Sequence, residues 1–224
     1  MSYRKEPFVV SQIYHIFNRS IARQPIFLGN SYYQRAMEVM EFYSYTNPPL
    51  RFSHYNRLPL KSKLDFMNEL KKKHQGQIEM FAFCLMPNHV HFLIREIIEN
   101  GIRIFMSNLQ NSYAKYFNLR TKRDGSLFKT MFKGVRIETD EQFLHVARYI
   151  HINPLTAYIL KNISQLEEYE WSSYPVYLNK SKSDIINTNT LLSFFPSTEK
   201  FIDFAKDQIN YQRELDKIKH LLLE

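Results

Sequence analysis

Reactive sulfur is almost missing from this chain. One cysteine, Cys84, occurs in 224 residues, so no intrachain disulfide forms and no cysteine-based zinc site is available. That usage fits a reducing compartment, and the expected location is cytoplasmic. No apolar core follows Met1-Ser2-Tyr3-Arg4-Lys5-Glu6 to act as a secretory leader. No stretch is long and apolar enough to span a membrane, so no membrane partner is expected. Internal repeats and low-complexity segments are also lacking. The length allows one domain, or one domain with appendages.

Apolar residues make up 44% of the chain and charged residues 23%, which is a globular rather than a disordered composition. Aromatics are abundant, with 15 Tyr and 18 Phe. Lys and Arg total 30 against 22 acids, a net charge of +8. That excess favours a polyanionic partner, with nucleic acid the first candidate.

The most informative stretch is Pro87-Asn88-His89-Val90-His91-Phe92-Leu93-Ile94. Strand side chains alternate faces, so His89 and His91 point the same way with Leu93 after them. Val90, Phe92 and Ile94 point into the opposite, buried layer. Two imidazoles side by side on an apolar strand suggest metal ligation, or else two surface histidines on a half-buried sheet. The pattern is too short to choose between these alone.

Upstream, residues 12–19 alternate as a strand with Ile13, and Phe17 after it, on the core side. His15 reads as a hydrogen-bonded sheet residue rather than a ligand. Arg19 is either a phosphate contact or a solvated charge. Ser31 opens a helix that runs to Tyr43 and stops before Asn47-Pro48-Pro49. Residues 47–77 read as a surface insertion. It carries a weak helix over residues 62–73, held by Leu64, Phe66, Met67 and Leu70, and Lys71-Lys72-Lys73 is a solvated face. The apolar run from Ile78 to Leu85 suits a central strand buried on both sides. Met86-Pro87-Asn88 turns it back into the histidine strand.

Past Gly101, an amphipathic helix carries Ile102, Phe105, Met106, Leu109, Tyr113, Tyr116 and Phe117 on one face. The turn Arg120-Thr121-Lys122-Arg123 is basic. A strand over residues 126–138 then interleaves cations with aromatics, Lys129, Met131 and Lys133 sharing one parity, with Arg136 near its end. Cations beside exposed rings suit a single strand, with charge tracking the backbone and rings stacking on bases. The plain alternative is an edge strand decorated against aggregation. Thr139 and Gln142 form a capping box for a helix whose core stripe is Phe143, Leu144, Ala147 and Ile150. His145, Tyr149 and Asn153 form a separate stripe, and Pro154 ends the helix. Taken alone, Tyr149 and Asn153 read as surface residues. The tail carries a helix over residues 198–223 with Phe201, Phe204, Ile209, Leu215 and Ile218 as apolar contacts.

The order strand, helix, insertion, strand, strand, helix, strand, helix gives an α+β fold. The expectation is a ferredoxin-like sandwich, an antiparallel sheet of four to five strands with helices on one face and the other face open. The histidine strand is central in it, and the Tyr149 helix packs beside it. The expected division is residues 1–178 as the main domain, with the insertion at about 47–77, and 179–224 as a helical extension.

Five pieces appear together and in order: Tyr14-His15-Ile16-Phe17-Asn18-Arg19, Cys84 through Leu93, Gly125-Ser126-Leu127-Phe128, Arg148 through Pro154, and Trp171-Ser172-Ser173-Tyr174. In these the chain resembles the HUH-type tyrosine transposases, in particular the REP-associated branch, over residues 12–178. The insertion and the tail lie outside that pattern. The resemblance implies that His89 and His91 hold a divalent metal, Mg²⁺ or Mn²⁺, with Asn153 as third ligand. Tyr149 is then the nucleophile that cleaves and rejoins single-stranded DNA through a 5′-phosphotyrosine. Arg19, Arg120, Lys122, Arg123, Lys129, Lys133 and Arg136 would contact the DNA, a single strand or a hairpin. Such a protein acts as monomer or homodimer and is nucleoid-associated when bound. Two other functions compete: a non-catalytic single-strand nucleic-acid binder on the same open sheet, and a metal-dependent hydrolase of small phosphates. Net +8 and the abundant aromatics serve the last poorly.

Overall fold

The computed structural model describes residues 7–207 of the 224. In chain order the elements are β1 (Ile13–Arg19), a 3-10 turn (Ile21–Arg23), α1 (Asn30–Phe42), α2 (Phe52–Tyr55), α3 (Leu60–Lys73), β2 (Ile78–Met86) and β3 (His89–Glu96). There follow α4 (Gly101–Thr121), β4 (Lys133–Ile137), α5 (Asp140–Thr156), α6 (Ile163–Glu167), α7 (Tyr174–Tyr177), α8 (Thr188–Leu192) and α9 (Thr198–Lys206). The strands form one antiparallel sheet in the order β2-β3-β1-β4. This is the α+β arrangement expected, with the histidine strand central. No helix among the described residues is long and apolar enough to cross a membrane.

Pairing fixes which side chains share a face. Met86 pairs with His89, so Pro87 and Asn88 alone make the β2–β3 turn. Across β3, His91 lies opposite Cys84 on one side and Phe17 on the other. His89, His91, Phe17, His15 and Arg19 therefore share one face. Val90, Phe92, Ile94, Ile16 and Tyr14 share the other, where α1 and α4 pack. Phe92 meets Phe105 of α4 there with ring centroids 5.7 Å apart. This reverses the expected parity of β1: Tyr14, Ile16 and Asn18 enter the α1/α4 side, whereas Ile13 and Phe17 lie half-buried on the histidine side. Both parities offer large apolar residues, and only the pairing register selects one.

The start of α4 is tightly set. A Cβ on Gly101 would stand 2.1 Å from the Gln77 carbonyl oxygen, so only glycine fits where the helix crosses the end of β2.

Helices cover both faces of the sheet rather than one. On the histidine face Ala82, Cys84 and Met86 of β2 are all apolar, and α5 lies over them. At its far end Phe143 packs edge-on against Phe81, with centroids 5.2 Å apart. β2 is thus buried on both sides, as its composition demands, but it is the outermost strand. Residues 171–187 close its edge: Leu85 N–H donates to the Trp171 carbonyl, Ser173 N–H to that of Phe83, and Asn187 N–H to that of Met80.

Other boundaries also differ from expectation. β4 begins only at Lys133, because the preceding residues are tied irregularly to the end of β1: Lys129 N–H donates to the Arg19 carbonyl and Asn18 Nδ2 to that of Lys129. α5 starts as read, with Thr139 Oγ1 accepting from Gln142 N–H, but it continues past Pro154 to Thr156. A proline forfeits one helical hydrogen bond, and here the surrounding residues 150–156 are all buried, which outweighs it. In α3, Met67 and Leu70 are buried while Leu64 is exposed. The expected tail helix is seen as α9, where Phe201 and Ala205 join the core; Ile209, Leu215 and Ile218 lie outside the described residues.

Candidate active site

The part of the histidine face that α5 leaves uncovered is a cleft of about 590 Å³. Its walls include His15, Phe17 and Arg19 of β1, His89 and His91 of β3, Lys133 and Val135 of β4, and Tyr149 of α5. Lys129 and Met131 reach it from the irregular segment before β4. The alternation of each strand accounts for the grouping: Phe17 pairs with Lys133 and His15 with Val135, so one face of three strands lines one hollow.

The rings are close. Centroids of His89 and His91 lie 4.9 Å apart, and those of His15 and His91 lie 5.2 Å apart. The Tyr149 ring stands edge-on to His91 at 5.5 Å and to His15 at 6.0 Å. His15 Nε2 is 2.9 Å from His91 Nδ1, and His89 Nδ1 is 2.6 Å from Asn88 Oδ1. His91 is buried, and its Nε2 has no hydrogen-bond partner.

Electrostatics keep these rings neutral. Burial lowers His15 to about 4. Burial, and then the charge of Arg19, lowers His89 to about 4. His91 is pushed well below the ordinary range, first by burial and then by His89, His15 and Arg19. Near pH 7 each imidazole therefore offers a lone pair, which a metal ion or a proton donor requires.

The residues singled out from sequence divide into groups. Arg19, Lys129 and Lys133 share the cleft with His89, His91 and Tyr149. Asn153, one turn beyond Tyr149, is buried with Nδ2 unpartnered, and it is not among the side chains lining the cleft. Arg136 pairs with Tyr14, so it lies on the opposite face, where it donates to Gln12 Oε1. The basic turn after α4 is outside the cleft. Arg120 lies over the rings of Tyr32 and Tyr116, and Arg123 donates to Asn118 Oδ1 and the Ser126 carbonyl. The segment that follows this turn, however, rejoins the sheet beside Arg19: Ile21 N–H donates to the Leu127 carbonyl and Lys129 N–H to that of Arg19.

Sequence reasoning set aside His15, which the fold places at the centre of the group. The available signal was parity: His15, Phe17 and Arg19 alternate, so whichever face takes Arg19 to a phosphate also takes His15. Met131 and Val135 complete the apolar lining.

The divalent metal implied by the family resemblance can be tested on this donor set. Among the described residues no three His, Cys, Asp or Glu side chains are grouped to hold an ion. A site must therefore use a mixed set. The neutral pair His89 and His91, with one buried nitrogen unpartnered, fits the nitrogen part of it; the unpartnered atom of the buried Asn153 amide is Nδ2, a donor rather than a ligand, and so lends nothing to a third place.

Residues 60–153 match the family described as "Transposase IS200 like". The matched stretch runs from α3 into α5 and includes His89, His91, Tyr149 and Asn153. No curated protein matches. Among solved structures the chain is similar to one described as "Structure of the REP associates tyrosine transposase bound to a REP hairpin". The identity is 13% and the TM-score 0.48, over 84% of this chain and 96% of that one.

Proposed function

We propose that this chain, whose residues 60–153 carry the pattern of an IS200-like transposase, is a metal-dependent single-strand DNA transposase or endonuclease. Its substrate is DNA at hairpin or palindromic sequences. The observation that carries this reading is the Tyr149 ring standing 5.5 Å from that of His91 in a cleft edged by Arg19, Lys129 and Lys133. A phenol, a pair of neutral imidazoles and three cations in one hollow suit nucleophilic attack on a phosphodiester.

Each residue has a definite task. The three cations hold the phosphates of a single strand, while Phe17, Met131 and Val135 offer apolar surface to its bases. The α5 helix, anchored by Phe143, Ala147 and Ile150, fixes Tyr149 against the sheet. The Tyr149 oxygen forms a bond to phosphorus as the bond to the 3′ oxygen breaks. The phenol loses its proton, the 3′ oxygen gains one, and a 5′-phosphotyrosine results. Because one phosphoester replaces another, the step reverses without an external energy source, which permits rejoining to a different end. His89, His91 and Asn153 would hold the metal, Mg²⁺ or Mn²⁺. When bound, the ion neutralises a non-bridging phosphate oxygen and favours the phenolate of a group whose ordinary pKa is about 10.

The test is a labelled hairpin oligonucleotide incubated with Mn²⁺ and run on a denaturing gel. A covalent protein–DNA adduct is expected from the unaltered protein and none from Tyr149→Phe. An adduct that survives that substitution removes Tyr149 from the reaction. Tight, salt-dependent binding with no adduct, indifferent to His89→Ala, assigns the cleft to a non-catalytic binder instead.

A further inference from the structure

The two histidines of β3 are held at the same ring atom by two residues outside the proposed ligand set. Asn88 Nδ2 donates to the Arg23 carbonyl at 3.0 Å. A carbonyl only accepts, so this contact fixes which end of the amide is which. Asn88 Oδ1 then faces His89 Nδ1 at 2.6 Å. An amide oxygen has no proton to give, and the proton of that bond belongs to His89 Nδ1.

His91 Nδ1 stands 2.9 Å from His15 Nε2, a contact that runs in either direction on distance alone. The far side of the ring decides it. If His15 donated, a neutral His91 would carry its proton on Nε2, which is buried with no partner. A buried N–H without an acceptor is the rarer and costlier kind of orphan. With His91 Nδ1–H donating to His15, the leftover Nε2 is a lone pair.

We infer that Asn88 and His15 are positioning residues that hold His89 and His91 as Nδ1–H tautomers, so that Nε2 of each is the atom offered to a divalent metal ion. This rests on the metal reading of the cleft given above. It also explains why the residue before the first histidine is an asparagine bonded on both ends of its amide, and why a third histidine lies on β1 without being required as a ligand. Partners of this kind set ring orientation and tautomer, and their loss typically costs about 10- to 100-fold in metal affinity.

The experiment uses the full-length, ¹⁵N-labelled protein without metal, followed by Mn²⁺ titration. Long-range ¹H–¹⁵N spectra of the ring nitrogens are expected to show His89 and His91 protonated at Nδ1 and bare at Nε2. Asn88→Ala and His15→Ala are expected to mix the tautomers of the adjacent ring and to weaken Mn²⁺ binding by about 10- to 100-fold. Asn88→Asp and His15→Gln keep an acceptor in place and are expected to restore both signals; they serve equally if an alanine variant fails to fold. Protonation at Nε2 of either ring in the unaltered protein overturns the inference, as does unchanged Mn²⁺ affinity in folded alanine variants. Failure of the unaltered protein to take up Mn²⁺, with both rings Nδ1–H, overturns the metal reading and leaves the tautomer assignment standing.

Discussion

The two faces of β3 are built from alternate residues of one strand and obey different rules. Toward α1 and α4, Val90, Phe92 and Ile94 are 4%, 0% and 0% exposed, and Phe92 packs edge-on against the Phe105 ring. Toward the cleft, His89 and His91 alternate with them, and one of these buries a nitrogen with no partner. An unpaired buried polar atom costs about 1–3 kcal/mol. The strand tolerates that on one side because its other side is a well-packed core, and a functional cleft is where such local conflict is expected. The comparison separates stability from chemistry by residue parity.

Phe92→Ala breaks the comparison most directly. Truncating a fully buried phenylalanine is expected to cost about 3–5 kcal/mol, through lost burial and the cavity left beside Phe105. Urea unfolding measures it. On the other face, the double change His15→Leu with His91→Leu removes both partners of one hydrogen bond together with the orphaned nitrogen. Such paired apolar replacement is expected to shift stability by no more than about 1 kcal/mol, while adduct formation on the hairpin disappears. If the double variant unfolds as readily as Phe92→Ala, the two faces are not divided as described.

The parts of this arrangement that were legible in the sequence are the local ones. The alternation at residues 89–94 put both histidines on one face, the turn read at Met86-Pro87-Asn88 made the hairpin, and Thr139 with Gln142 began α5. What failed was non-local. The face of β1 depends on Phe17 meeting His91 and His15 meeting Leu93, a register between strands more than seventy positions apart. A strand offering Ile13 and Phe17 on one side and Tyr14 and Ile16 on the other has no internal reason to choose. Placing Ile13 and Phe17 in the main core hid His15 as a cleft residue. The segment before β4 was read as regular strand for a similar reason, because the bonds that hold it come from Asn18 and Arg19. Lys129, Met131 and Lys133 nevertheless reach the cleft, Lys133 by its place in the ladder and the other two without one.

The cations sharpen the comparison with a smaller effect. Lys129→Ala with Lys133→Ala leaves the α1/α4 core untouched and is expected to leave urea unfolding unchanged. Binding to a single-stranded oligonucleotide should weaken, and its dependence on log salt should flatten by about 0.7 per phosphate contact removed. Arg136→Ala, on the opposite face, is the control and is expected to leave that slope unaltered. An equal loss from Arg136→Ala would mean that the DNA path crosses the edge of β4 rather than following the cleft.

The smallest expected effect concerns an acidic group, Glu96, on the α1/α4 face. Glu96 continues the parity of Phe92 and Ile94 and is fully buried, with Oε2 accepting from Ile102 N–H at the start of α4. Its other oxygen, Oε1, has no hydrogen-bond partner. Burial pushes its carboxyl above the ordinary 4.5, and the backbone N–H groups at the helix start only partly oppose this. The folded chain therefore holds that proton more tightly than the unfolded chain. The resulting stabilisation is complete below the unfolded value and is lost as pH rises through the folded one. Glu96→Gln lacks this titration, so the melting-temperature advantage of the unaltered protein over the variant should be greatest near pH 4 and shrink toward pH 7. An advantage that grows with pH would show the helix start stabilising the charged form more than burial opposes it. The α1/α4 face would then hold a charge by design, and apolar packing would no longer be what distinguishes it from the cleft.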